Sequence, residues 1–164
     1  LKKELRKWTR NSNMTGSVLI SSEDRLFIRE AMLNEWYDGH LEFEDVLVTG
    51  PLLIRGGKMV KLPETSLVIS RHPRTAAGTR NNSRNVVLLT IDGRTGKASG
   101  MTLPELAEFM KLLRCRDAVN LDGGGSTTMW ISGRPFNGVV NMPSDNKKFD
   151  HYGERAVSDI LVIK

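Results

Sequence analysis

The chain has 164 residues, 39% of them hydrophobic and 26% charged, which suits one globular domain with a substantial core and excludes an intrinsically disordered segment. Lys and Arg number 24 against 19 acids, and the net charge of +5 favours anionic partners such as phosphates, acidic glycans or nucleic acid without choosing among them. A single cysteine, Cys115, rules out an intrachain disulfide and a cysteine-built metal cluster, and no apolar run approaches the ~20 residues that span a bilayer as a helix.

Leu1-Lys2-Lys3-Glu4 is not followed by the apolar stretch of a signal peptide. Ser17–Ile20 reads as a short strand. Glu23–Tyr37 carries Leu26, Phe27, Ala31, Met32, Leu33 and Trp36 at partly helical spacing and is expected to be a helix ended by Asp38-Gly39. Val46–Val48 and Leu52–Ile54 are extended pieces meeting at the Thr49-Gly50-Pro51 bend. Arg55-Gly56-Gly57-Lys58 is a turn, with Val60–Leu62 as a returning hairpin arm. Leu67–Ile69 reads as a further strand leading into a polar stretch, Arg71 to Arg84.

Asn85–Ile91 is the strongest strand signal, and its aliphatic run predicts burial on both faces. Asp92–Gly96 turns. Thr102 is placed as a helix N-cap, with Pro104 in the first turn and Glu105 closing a capping box; Leu103, Leu106, Met110 and Leu113 give an amphipathic helix over 103–114. Cys115 follows this helix and reads as a buried or helix-end thiol rather than a nucleophile. Ala118–Leu121 is a short strand, Thr128–Ile131 and Gly138–Val140 pair across a turn, Met142–Gly153 is a polar loop, and Ala156–Ile163 alternates as a closing strand. The class is α+β, with a mixed, largely antiparallel sheet and flanking helices in a single domain.

Three segments carry the chemistry. Arg71-His-Pro-Arg-Thr-Ala-Ala-Gly-Thr-Arg80, extended by Arg84, holds four arginines and His72 without an acid, a density that an anion relieves and that the guanidinium fork suits to phosphate oxygens. A solvated basic loop is the bland alternative. Asn120-Leu-Asp-Gly-Gly-Gly-Ser-Thr-Thr128 ends a strand in three glycines. Such a run marks a sharp bend or a close approach, and its N–H groups, with Ser126 and Thr127, make a candidate anion cradle beside Asp122. It lacks a P-loop lysine and does not match a dinucleotide fingerprint. The third segment pairs Asn141-Met-Pro-Ser-Asp145 with Gly153-Glu154-Arg155. Asp92 and Arg94 stand at the end of the aliphatic strand, and each of these charges alone reads as structural.

Taken in order, His72-Pro-Arg-Thr75 through Gly78, Asp92-Gly-Arg94, Asn120-Leu-Asp-Gly-Gly-Gly-Ser126 and Gly153-Glu-Arg155 resemble the phosphodiester glycosidase family, whose bacterial members include proteins associated with exopolysaccharide. The resemblance spans about residues 46–164. The family's earlier Asn-Gly-Gly-Phe-Phe-like stretch is not found in residues 1–45, so the chain is expected to be the C-terminal, site-bearing part of such a domain. The resemblance implies hydrolysis of a sugar-1-phosphodiester at the anomeric carbon, with a phosphorylated carbohydrate as substrate and an extracytoplasmic or secretory location. Glycosidases generally use two carboxylates, and Asp122 with Glu154 is the leading pair, Asp92 the substitute. A phosphate leaving group needs charge stabilisation more than protonation. Arg74, Arg94, Arg155, His72, Thr75, Gly123, Gly124, Gly125, Ser126 and Thr127 are therefore the expected phosphate- and substrate-binding residues. No cofactor or metal is required; a divalent cation on Asp92 and Asp122 is compatible with the pattern but not demanded by it. The competing class is a noncatalytic module for anionic glycans, and P–O cleavage stays open within the enzyme class. Nucleic acid is not an expected partner, since aromatics are 6% of the chain and absent from 71–84.

Overall fold

The computed structural model describes residues 13–40, 42–80 and 85–163. Two antiparallel sheets stack between helices, in the expected α+β class. The smaller sheet contains β1 (Gly16–Ser21), β2 (Leu26–Glu30) and β3 (Phe43–Thr49) in the order β2-β1-β3. The larger contains β4 (Leu52–Arg55), β5 (Lys58–Met59), β6 (Arg74–Arg80), β7 (Asn85–Ile91) and β8 (Asp117–Asn120) in the order β5-β4-β8-β6-β7. Helices α1 (Asn34–Asp38), α2 (Ser66–Ile69) and α3 (Leu103–Leu112) complete the set.

The side-chain period of two builds the layers. Ala76 packs with Leu53, Leu103, Leu106 and Met110 beneath α3, while its neighbour Ala77 packs with Val18, Ile28, Leu52 and Val119 between the sheets. A third cluster of Leu19, Tyr37 and Phe43 fills the outer face of the smaller sheet. Small residues on β6 allow this closeness: a Cβ at Gly78 would lie 2.6 Å from both Cys115 Sγ and Met110 Cε. Helix α3 carries the predicted capping box, with Thr102 accepting from the Glu105 amide and Glu105 reaching back to the Thr102 amide. Such a cap contributes about 1 kcal/mol. Cys115 is buried, and desolvation pushes its thiol above the ordinary value, in keeping with an inert core residue.

Several expectations change. Glu23–Tyr37 is not one helix. Leu26 and Ile28 alternate inward as β2, paired to β1 through a turn in which Asp24 takes φ 56°, and only Asn34–Asp38 is helical. Leu67–Ile69 lies in the single turn of α2 instead of a strand. The returning arm after Gly57 is Lys58–Met59, with Val60 still donating to the Leu53 carbonyl. Arg71–Arg84 is not a polar loop over its described part, since Arg74–Arg80 is a central strand bonded to β7 and β8; Arg84 lies outside the described residues. Strand β7 sends Val87, Leu89 and Ile91 to the α3 side and Leu88 to the other, but it stands at the sheet edge among the described residues and stays half-exposed. Ala156–Ile163 forms no strand: Val157, Ile160 and Val162 are exposed, because alternation alone supplies no partner ladder. No helix among the described residues is long and apolar enough to cross a membrane.

Candidate functional site

Antiparallel register brings the separate motifs to one end of the larger sheet. Arg74 opposes Ile91, Ala76 opposes Asn120, and Leu52 opposes Val119. The start of β6, the end of β7 and the end of β8 therefore coincide, and His72–Thr75, Asp92–Arg94 and Asp122–Thr127 emerge together. The start of β4 joins them through Asn120, whose Nδ2 donates to the Gly50 carbonyl at 2.9 Å and whose backbone oxygen accepts from Thr49 Oγ1.

Asp92 organises the neighbouring loop. Its Oδ1 accepts from Asn141 Nδ2 at 3.2 Å and from the Met142 amide at 2.9 Å. The buried Asn141 also donates to the Thr127 carbonyl, accepts from the Met129 amide at its Oδ1, and its carbonyl lies 2.8 Å from His151 Nδ1. Thr75 Oγ1 and Thr127 Oγ1 meet at 3.4 Å. Asp92 thus holds the 141–142 loop through one carboxylate oxygen, Oδ1.

The glycine turn works by close approach. Gly124 has φ 61°, and a Cβ there would sit 2.9 Å from an Arg94 guanidinium nitrogen; a Cβ at Gly125 would fall 2.0 Å from Asp145 Oδ1. Four amides of the turn are engaged within the fold. The Gly123 amide donates to Asp122 Oδ1, Gly124 to the Pro73 carbonyl, Ser126 to Gly123 and Thr127 to Gly124. Side chains carry the positive charge instead: Arg155 donates to Ser126 Oγ at 2.7 Å with Asp145 at 3.8 Å, and the exposed Arg94 stands 3.5 Å from His72 Nδ1. Asp122, at the start of the same turn, is exposed. Glu154 is also exposed and forms no hydrogen bond or ion pair among the described residues.

The arginines of 71–80 do not gather into one patch. Arg74 is only 2% exposed and donates to the carbonyls of Met101, Leu67 and Ser70 at 2.8–2.9 Å. Burial first, and then the Arg94 charge, lowers its pKa to about 10. Its guanidinium is held on backbone carbonyls inside the fold. Arg71 is bound to Glu105 and the Gly100 carbonyl, and Arg80 lies at the opposite end of β6. The length of β6 carries Arg74 and Arg80 to its two ends, although a one-dimensional count places them together.

Burial, followed by the charges of Arg74 and Arg94, holds His72 below the ordinary histidine value. The unfolded chain thus takes up a proton near pH 6.5 while the folded protein resists it, so stability falls as pH drops through that value and levels off below the folded-state pKa. Urea midpoints measured against pH should show this acid-side loss and a flatter profile for His72→Gln; identical profiles would place the titrating group elsewhere. Sequence reasoning gave no role to Asn141, Asp145 or His151. The first two were visible only as members of a polar segment, and nothing in the spacing of His151 signals its contact with Asn141.

A family model described as "Phosphodiester glycosidase" matches residues 2–164, beginning well before the motif-bearing stretch at residue 46. The N-acetylglucosamine-1-phosphodiester alpha-N-acetylglucosaminidase of Bos taurus is 40% identical over 73 residues, which is 44% of this chain and 13% of that protein. The SPbeta prophage-derived protein YomE of Bacillus subtilis is 36% identical over 93 residues, 57% of this chain and 13% of YomE. The solved catalytic domain of the zebrafish N-acetylglucosamine-1-phosphodiester alpha-N-acetylglucosaminidase superposes with a TM-score of 0.62 at 27% identity, covering 83% of this chain and 48% of that one. The chain thus spans about half the length of the solved relative.

Proposed function

The chain belongs to the phosphodiester glycosidase family, and from that premise we propose that it carries the site that hydrolyses a sugar-1-phosphodiester at the anomeric carbon. Water supplies the oxygen that bonds to that carbon. The bond from carbon to the phosphate oxygen breaks, and its electron pair leaves with a phosphomonoester. The supporting observation is the meeting of Asp122, Arg94 and the Arg155–Ser126 pair around one glycine turn.

Each part suits a different atom of the reaction. Arg94 and Arg155 are placed to neutralise charge growing on the departing phosphate, the term that dominates when the leaving group is already a stable anion. His72, its pKa held below the ordinary histidine value, offers a ring nitrogen beside Arg94. Asp122 is the carboxylate assigned to the anomeric centre, with Glu154 as its partner. Thr75 and Thr127, whose hydroxyls meet, are assigned to orienting substrate hydroxyls. An N-acetylglucosamine-like sugar and an extracytoplasmic setting belong to the same reading, on the strength of the family.

The test is release of free sugar from an N-acetylglucosamine-1-phosphodiester by this chain in heavy-oxygen water. Label recovered in the sugar is the expected result. Label in the phosphomonoester instead would mean P–O cleavage, and binding without release would make the chain a recognition module for anionic glycans.

A further inference from the structure

Three large aromatic side chains stand in solvent together: Trp130 (62% exposed), Phe136 (47%) and Tyr152 (68%). Exposed rings contribute little to folding, because burial is what makes them stabilising. Their geometry is nevertheless fixed. The Phe136 ring stacks on His151 with centroids 4.0 Å apart and 12° between planes, and meets Tyr152 edge-on at 6.3 Å and 85°. Trp130 Nε1 donates to the Asn137 carbonyl, and the indole lies so close on Gly138 that a Cβ there would fall 2.3 Å from Nε1. Phe136 and Asn137 both adopt left-handed backbone, with φ of 57° and 56°. That conformation is unfavourable for residues with side chains and tends to be kept where a site requires it.

This ledge is continuous with the candidate site. His151, which carries the Phe136 ring, contacts the Asn141 carbonyl, and Asn141 is bound to Asp92 and to the Thr127 carbonyl. We propose that Trp130, Phe136 and Tyr152 form a pyranose-binding subsite adjoining the phosphodiester site, an inference that rests on the function proposed above. A pyranose has an apolar C–H face that matches an aromatic ring, and hydroxyls around its edge that need polar partners. The exposed Asn137, whose carbonyl accepts from Trp130 Nε1, and the exposed Arg134, two residues before Phe136 in the chain, are the polar groups we assign to them. Rings set in different planes and interrupted by polar groups suit a small ligand with two kinds of surface better than a broad protein interface, whose centre is a continuous apolar patch.

The full chain, labelled with nitrogen-15, is titrated with N-acetylglucosamine and separately with dimethyl phosphate, following the Trp130 indole N–H resonance. The sugar should shift it and the phosphodiester should not. Tyr152→Ala and Phe136→Leu should weaken sugar binding about fivefold or more, the scale of one aromatic contact, while leaving dimethyl phosphate affinity unchanged. No shift with sugar, or equal sugar affinity in both variants, overturns the subsite. So does a dimer in sedimentation that Tyr152→Ala dissolves, because the rings would then cover a second copy. Sugar release that ignores the ring variants overturns the subsite alone. Ring-dependent sugar binding with no release overturns the hydrolytic reading and leaves the subsite standing.

Discussion

Asp122→Asn is expected to lower the turnover of a sugar-1-phosphodiester by about 10²–10⁴-fold, the usual contribution of a positioned acid–base or nucleophilic group. Asparagine is the informative replacement. Its side-chain oxygen can still accept from the Gly123 amide, as Asp122 Oδ1 does at 2.9 Å. The turn keeps its shape and only the charge is removed. Because Asp122 is exposed, the urea midpoint should move little, within about 0.5 kcal/mol. Steady-state rates and equilibrium unfolding of the same preparation therefore separate chemistry from folding. A variant with full turnover would remove Asp122 from the reaction. If Glu154→Gln alone loses activity, the working carboxylate is Glu154, which is also exposed and unpartnered among the described residues.

The largest effect on stability is expected at Arg74. Its guanidinium donates to three backbone carbonyls, those of Met101, Leu67 and Ser70. These bonds tie β6 to the end of α2 and to the residue just before the Thr102 cap. Arg74→Met preserves much of the apolar stem but strands the Leu67 and Ser70 carbonyls, each costing about 1–3 kcal/mol when left unpaired, while the Met101 carbonyl keeps the His72 amide. A loss of about 3 kcal/mol or more is the expected outcome in urea unfolding, a large share of an ordinary domain's stability. Arg74→Lys should rescue only part of it, since one ammonium cannot reproduce the planar fork. A stable Arg74→Met protein that has lost turnover would instead return Arg74 to the role of phosphate ligand.

Much of the local structure was legible because its causes are local. Helix α3 announced itself through Thr102, Pro104 and Glu105, whose capping chemistry acts within one turn, and through apolar residues on one face. The bend at Gly50-Pro51 and the turn at Gly56-Gly57 were equally plain. Strands β2 and β6 were hidden for opposite reasons. In β2, Leu26 to Glu30 sits beside helical-looking neighbours, and its fate is decided by pairing with β1. In β6, Ala76-Ala77-Gly78 lacks the bulky aliphatics that mark a buried strand, because α3 and the smaller sheet press in from both faces. The failed closing strand at Ala156–Ile163 teaches the same lesson, since a strand needs a ladder as well as a pattern.

By itself the sequence determined the α+β class, the family, and the four short motifs from which a site is built, because residue type and spacing record chemistry directly. Only the tertiary structure decided which of those residues share the site. Register carried His72, Asp92, Arg94, Asp122 and Ser126 to one end of the sheet, and the loop geometry brought Arg155 to Ser126. Burial withdrew Arg74 into the fold, and internal hydrogen bonds engaged the Gly123, Gly124, Ser126 and Thr127 amides of the glycine turn. Asn141 and His151 gained their places through contacts across the fold. The physical reason is that an antiparallel sheet joins residues far apart in the chain, while its two-residue alternation sends chain neighbours to opposite faces.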